Sequence, residues 1–198
     1  VDAIQFVRRT PDVSIVGLLT IGVVMVGFPY LTFLPTLAED RFDTGAMGYG
    51  IMSGVAGFGA FCAGTVDAFK NRGLRPRRLI MSAGVTFGVG TILLGAAPSY
   101  AIALAALFVI GGTGLVFQTS AQTLLLNLSP LEYHGRLQSM VILGFSGFGL
   151  AALPLGILAD ATSLGATLAG MGVVIIALNA WFAVVRRAHV RRRGPEIA

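Results

Sequence analysis

Reactive and charged side chains are scarce in this sequence. Of 198 residues, 12% are Asp, Glu, Lys or Arg, two are histidine and one is cysteine. Cys62 lies inside an apolar stretch, which excludes a disulfide framework and a cysteine metal site and leaves it as a small buried hydrophobe. His134 and His189 stand outside the apolar stretches, with no His or Cys at metal-ligand spacing, so no metal set is encoded. Ser53, Ser82 and Ser146 occur within apolar stretches that hold no His or Lys to act as a base, which removes an intramembrane serine hydrolase and leaves them as packing residues. No GxxxxGK phosphate loop is present, so nucleotide hydrolysis is not encoded. An enzyme lacks base, nucleophile and metal set at depth, and no cofactor is called for. There is also no low-complexity or Pro/Ser-rich linker to divide the chain, which reads as one domain over 1–198.

What the sequence has is apolar length. It is 55% hydrophobic, with a mean hydropathy of +0.83. Six long apolar stretches run over about 13–37, 46–69, 77–97, 101–126, 137–159 and 164–185, each near the ~20 residues that cross ~30 Å of hydrocarbon. Lipid leaves open sheets unsatisfied, so the expected fold is an all-α membrane protein of six transmembrane helices. Threading them alternately places thirteen of the fourteen Lys and Arg residues on one face, including the basic tail 186–198; only Arg41, beside Glu39, Asp40 and Asp43, falls opposite. The positive-inside rule makes the basic face, and both termini, cytoplasmic. Arg8-Arg9 followed by about 25 apolar residues, with no small-residue cleavage site, reads as the first transmembrane helix of a fragment rather than a signal peptide. The net charge of +5 and pI near 10.1 raise the question of nucleic acid, but the cations sit at span ends rather than along an aromatic-interleaved face. Anionic inner-leaflet lipid is the partner that this pattern indicates.

Twenty-seven glycines point to close helix contacts. Gly50 and Gly54 form a GxxxG pair, Ala56, Ala60 and Gly64 repeat small residues on another stripe of the second span, and Gly84 and Gly88 do so in the third. In the fifth span, Gly144, Gly147, Gly149 and Pro154 permit bending as well as packing. On the fourth, Gln118 and Gln122 are one turn apart, with Thr119 and Thr123 beside them, giving one polar face. Two roles fit these amides: helix-to-helix bonds of ~0.6–2 kcal/mol, or contact with a ligand in a wet cavity. In the first span, Pro29 and Pro35 weaken the helical ladder, and Tyr30 and Thr32 offer polar groups to a cavity; an interfacial anchor is the alternative for Tyr30. Carboxylates occur only at span ends. Asp67 and Asp160 each follow a small residue at four positions' distance, Ala63 and Gly156, closing spans two and five on opposite faces. That recurrence is what two inverted three-helix repeats would produce.

The string Ser129-Pro130-Leu131-Glu132-Tyr133-His134-Gly135-Arg136, leading into a Gly-rich helix ending Gly156-Ile157-Leu158-Ala159-Asp160, resembles the carboxyl-terminal half of a major facilitator superfamily transporter. Leu34-Pro35-x-Leu37-Ala38 and Gly45-Ala46-x-Gly48-Tyr49-Gly50 are similar to the bacterial efflux branch that includes enterobactin-exporter-like and macrolide-exporter-like permeases. The family loop GxLADrxGrk survives only as Ala63-Gly64-Thr65-Val66-Asp67 with Lys70 and Arg72, and His134 stands where Arg is frequent. The resemblance implies a bacterial inner-membrane, twelve-helix carrier whose second half is this chain and whose first half is its partner. It also implies that spans one and four line a central cavity, making Tyr30, Thr32, Phe33, Gln118 and Gln122 candidate substrate contacts. Spans two and five would form a moving seam, with three and six in support on the lipid side. Asp67, Lys70, Arg72, Glu132, Arg136 and Asp160 become gating or latch candidates, with helix-end capping and headgroup contact as the alternative.

Because no span holds a charged residue away from its ends, a proton-coupling group would belong to the other half, and the cavity wall is neutral. Such a wall suits hydrophobic or amphipathic small-molecule substrates, drug-like or siderophore-like. Two other readings stay open: a six-helix assembly or regulatory subunit without transport activity, and a homodimeric six-helix carrier.

Overall fold

A computed structural model describes residues 10–70 and 76–192. Arg8, Arg9, Arg72, Arg75 and the tail from 193 onward lie outside the described residues. Among the described residues the chain is helical with no strands, and five helical segments are long and apolar enough to cross a membrane: 12–41, 45–69, 76–96, 100–127 and 164–186.

The first span is α1 (Pro11–Gly27) followed by α2 (Tyr30–Thr36) and a wide π turn, Leu37–Arg41. Pro29 has no N–H and crowds the preceding turn, so the ladder breaks where expected. The amides of Leu31 and Thr32 reach back only three residues, to Phe28 O (3.1 Å) and Pro29 O (2.9 Å). Past Pro35 the ladder loosens the other way, Phe42 N donating to Leu37 O at 3.1 Å. Spans two, three and four are single helices, α3 (Gly45–Lys70), α4 (Pro76–Ala96) and α5 (Tyr100–Asn127). Span six is α8 (Leu164–Arg192).

The expected fifth span is not one helix. It is α6 (His134–Ser146) and α7 (Phe148–Ala161), joined through Gly147, with Pro154 inside the second piece. At 1.5 Å per residue, each piece extends only ~20 Å, too short to cross alone. Gly147 keeps right-handed helical geometry (φ −75°, ψ −14°) and its carbonyl accepts from both Leu150 N (3.1 Å) and Ala151 N (3.2 Å), so the two pieces meet at a local bend.

Glycines set the packing. Along the antiparallel α4–α8 contact, a Cβ at Gly88 would lie 2.8 Å from Gly172 O, one at Gly165 would lie 2.7 Å from Gly95 O, and one at Gly84 would run into the Asn179 amide. The parallel α3–α5 contact is equally close: a Cβ at Gly111 would strike Ala56 O, one at Gly59 would strike Phe108 O, and one at Gly112 would lie 3.1 Å from the Ala63 methyl. Gly50 and Gly54 take no part, since an added Cβ there meets nothing within 4 Å.

The broad contacts are α4 with α5, α3 with α5, and α4 with α8, while α1 packs on α8 and on the two pieces of span five. Exchanging spans 1 and 4, 2 and 5, and 3 and 6 maps this pairing onto itself, as inverted repeats require. The core lies between the helices, with Leu19, Phe87, Leu107, Ile110, Phe117, Leu168 and Phe182 buried.

Candidate functional site

The break in span one shapes a cavity. Phe28 and Tyr30 flank Pro29 at the break, and the Phe87 ring of α4 meets both, at centroid distances of 6.0 Å (tilted by 46°) and 6.3 Å (edge-on at 73°). Phe87 fits because Gly27 has no Cβ to collide with its ring, and because Gly114 of α5 leaves ordinary contact space, 3.5 Å from a would-be Cβ to the ring edge. Phe28, Tyr30, Phe87 and Gly114, with Ser53, Ala56, Gly57 and Ala60 of α3 and Gly111 and Gln118 of α5, line a partly open cavity of about 310 Å³. Gly57, Phe87 and Gly114 each lie near the middle of their helices, which puts the cavity at mid-depth. Its lining contains no Asp, Glu, Lys, Arg or His among the described residues. The chemistry on offer is aromatic contact plus one amide and two hydroxyls.

Of the five cavity candidates, the structure brings Tyr30 and Gln118 together. Thr32 is exposed, and its hydroxyl donates to Pro29 O at 2.7 Å. Phe33 is buried in the helix core, and Gln122, half-buried a turn beyond Gln118, is not among the lining residues. The hydroxyls of Thr119 and Thr123 fold back onto their own helix, at 3.0 Å to Leu115 O and 2.8 Å to Thr119 O. Phe28, Phe87 and Ser53 join the lining without having been singled out as contacts from sequence. The available signal was Phe87 itself, a large ring in a helix whose neighbouring positions include Gly84, Gly88 and Gly90.

A second hollow, about 520 Å³, opens among α3, α4 and α5 on the other side of the close α3–α5 contact, lined by Cys62, Val66, Ser82, Thr86, Phe108 and Thr113. It contains none of the residues singled out as contacts.

The chain matches, over residues 1–193, the family of major facilitator type described as transmembrane secretion effector. It belongs to that family. No curated protein and no solved structure matches it. Membership makes the chain a membrane transporter of the major facilitator kind and places the cavity in a carrier rather than an enzyme.

The loop residues singled out as latch candidates sit at helix ends. Asp67 is half-buried in the last turn of α3; Lys70 closes that helix, with its side chain outside the described residues, as is all of Arg72. Glu132 is exposed in the short turn Leu131–Tyr133, Arg136 is exposed in the first turn of α6, and Asp160 is exposed at the end of α7. His134 has a definite task. Its Nε2 lies 3.0 Å from both Leu126 O and Ser129 O. Both neighbours are acceptors, so Nε2 carries a proton and caps the carboxyl end of α5.

Proposed function

We propose that this chain is the carboxyl-terminal six-helix half of a secondary active carrier in a bacterial cytoplasmic membrane. It exports hydrophobic or amphipathic small molecules by alternating access, with proton coupling housed in the other half and both termini in the cytoplasm. The observation that carries this reading is the uncharged, ring-lined cavity at mid-depth between the first and fourth spans. A neutral wall binds apolar solutes without leaving a buried charge unpaired. Gln118 and, a turn further in, Gln122 face the solute path in this scheme, and the basic inner ends of the spans rest on anionic lipid. Asp67, Lys70 and Arg72 latch the inner side in the outward-facing state, while Glu132, Arg136 and Asp160 serve the corresponding ends of span five.

The test is reconstitution of the full-length protein in vesicles, following efflux of a panel of hydrophobic dyes with and without an imposed pH gradient. Gradient-dependent efflux is expected, and indifference to the gradient removes the antiporter assignment. Gln118→Leu with Gln122→Leu should change relative rates across the panel by about fivefold to thirtyfold, the effect of one or two hydrogen bonds of ~1 kcal/mol. Unchanged rates for every dye would take both amides out of the solute path.

A further inference from the structure

The cavity's walls differ in kind, and the difference restricts what fits. On the side of α1, α2 and α4 the surface is made of Leu31 and three rings, Phe28 and Tyr30 each set against Phe87 at 6.0 and 6.3 Å. On the α3 side it is made of Ser53, Ala56, Gly57 and Ala60, with no side chain larger than a hydroxymethyl, and an added Cβ at Gly57 would meet nothing within 4 Å. Gly57 is therefore not demanded by this chain's own packing; its effect is to leave room. The smooth wall, the ring wall and an α5 side of Ile110, Gly111, Gly114, Leu115 and Gln118 bound a space at the lower end of the ~300–1,000 Å³ usual for small-molecule sites. Rings prefer offset or edge contact with other rings, which a flat solute supplies and a globular one does not. At the rim of the slot, Gln118 presents both a donor and an acceptor. With no counter-charge in the lining, a charged solute would be poorly held.

We propose that this cavity is a slot for a flat, uncharged fused-ring aromatic solute with a hydrogen-bonding edge, its rings read by Phe28, Tyr30 and Phe87 and its edge by Gln118. The proposal rests on reading the cavity as the solute site. It narrows that reading from apolar solutes in general to planar ones, and assigns specificity to Phe28 and Phe87.

The test uses the full-length protein in lipid nanodiscs, with protein-free discs as the blank. Three probes are compared: acridone, a planar tricycle with an N–H and a carbonyl; anthracene, the same skeleton without them; and adamantane-1-carboxamide, a cage that keeps an amide. Acridone should bind at least tenfold more tightly than the cage. Phe28→Leu and Phe87→Leu should each weaken acridone about tenfold, while Gln118→Leu should erase the preference for acridone over anthracene. Phe28 is half-buried, so its Leu variant keeps a folded readout where the Phe87 variant does not survive purification. The slot is overturned if the cage binds as well as acridone, if neither binds, or if Phe28→Leu and Gln118→Leu both leave acridone untouched. Gly114→Leu, which puts an isobutyl group into the cavity, separates the two layers of the argument. If it abolishes binding of cage and acridone alike while they bind equally to the wild type, the cavity remains a solute site and planarity falls. If it leaves dye efflux unchanged, the solute site itself falls.

Discussion

Arg41 is the one basic residue that the charge pattern places on the outer face, and the structure shows what it does there. Its guanidinium donates from Nη1 to Gly95 O at 2.7 Å and from Nη2 to Ala97 O at 2.8 Å, meeting carbonyls at the end of α4 that the helix cannot pair itself. It also lies 5.8 Å from the Phe42 ring, which packs edge-on against Tyr100 at 5.7 Å, and the Tyr100 hydroxyl donates to Gly48 O at 2.8 Å. One side chain thus ties the outer end of span one to the end of span three, and through two rings to the starts of spans four and two. Arg41→Ala should lower stability by about 1–3 kcal/mol, read as an earlier thermal transition of the detergent-solubilised protein. Arg41→Lys should recover little of it, because an ammonium cannot reach two carbonyls as a planar fork does. A neutral Arg41→Lys would mean that only the charge matters. The sequence showed Arg41 as an exception among fourteen cations. It could not show the cap, because the partner carbonyls lie 54 and 56 residues away and belong to no pattern.

At the scale of the element, the α4–α8 contact depends on absent side chains. The spacing of Gly84 and Gly88 was visible as a packing stripe, and that stripe is where α8 approaches. Its counterpart on α8, Gly165, Gly172 and Asn179 at seven-residue spacing, was not singled out, because its third position carries an amide instead of a small residue. Asn179 is fully buried, donates from Nδ2 to Ile175 O at 2.9 Å and lies flat on Gly84, with Oδ1 lacking a partner among the described residues. Gly84→Ala should therefore destabilise the protein strongly, by about 1–3 kcal/mol as for other overpacked cores, and Asn179→Ala in the same chain should restore most of the loss by vacating the space that the new methyl needs. A double-mutant cycle on thermal transitions measures this, and additive losses would show that the two positions do not share that space. The split of span five has a similar history. Its glycines and Pro154 marked a weak ladder, but where such a run bends depends on neighbours, and α6 and α7 have sparser contacts to hold them straight than α4 or α5 have.

For the whole molecule, the telling surface is the one left uncovered. Phe61 and Phe69 on span two and Leu150, Leu153 and Ile157 on span five are among the most exposed large apolar residues. These are the two spans assigned by resemblance to the seam with another six-helix half. Lipid alone would satisfy such side chains, so exposure does not decide between lipid and a partner. The glycines do. Gly50 and Gly54 lie along α3 with nothing within 4 Å of a would-be Cβ, whereas Ala56, Gly59 and Gly64 on the same helix lie against α5. Small residues bring no gain against lipid but let a second backbone come close, so in the proposed two-half carrier this open stripe is where the other half would approach. Legibility ended here for a physical reason: spacing shows that a stripe is small, and only the fold shows which stripe is already used. Gly54→Leu should leave the chain's own packing and thermal transition unchanged, since the new side chain points into open space. It should reduce dye efflux by the full-length protein at least tenfold by holding the two halves apart. Gly111→Leu, directed at the Ala56 carbonyl, should instead reduce the yield of folded protein. Wild-type efflux by a normally folded Gly54→Leu protein would place that face of span two against lipid and move the seam elsewhere.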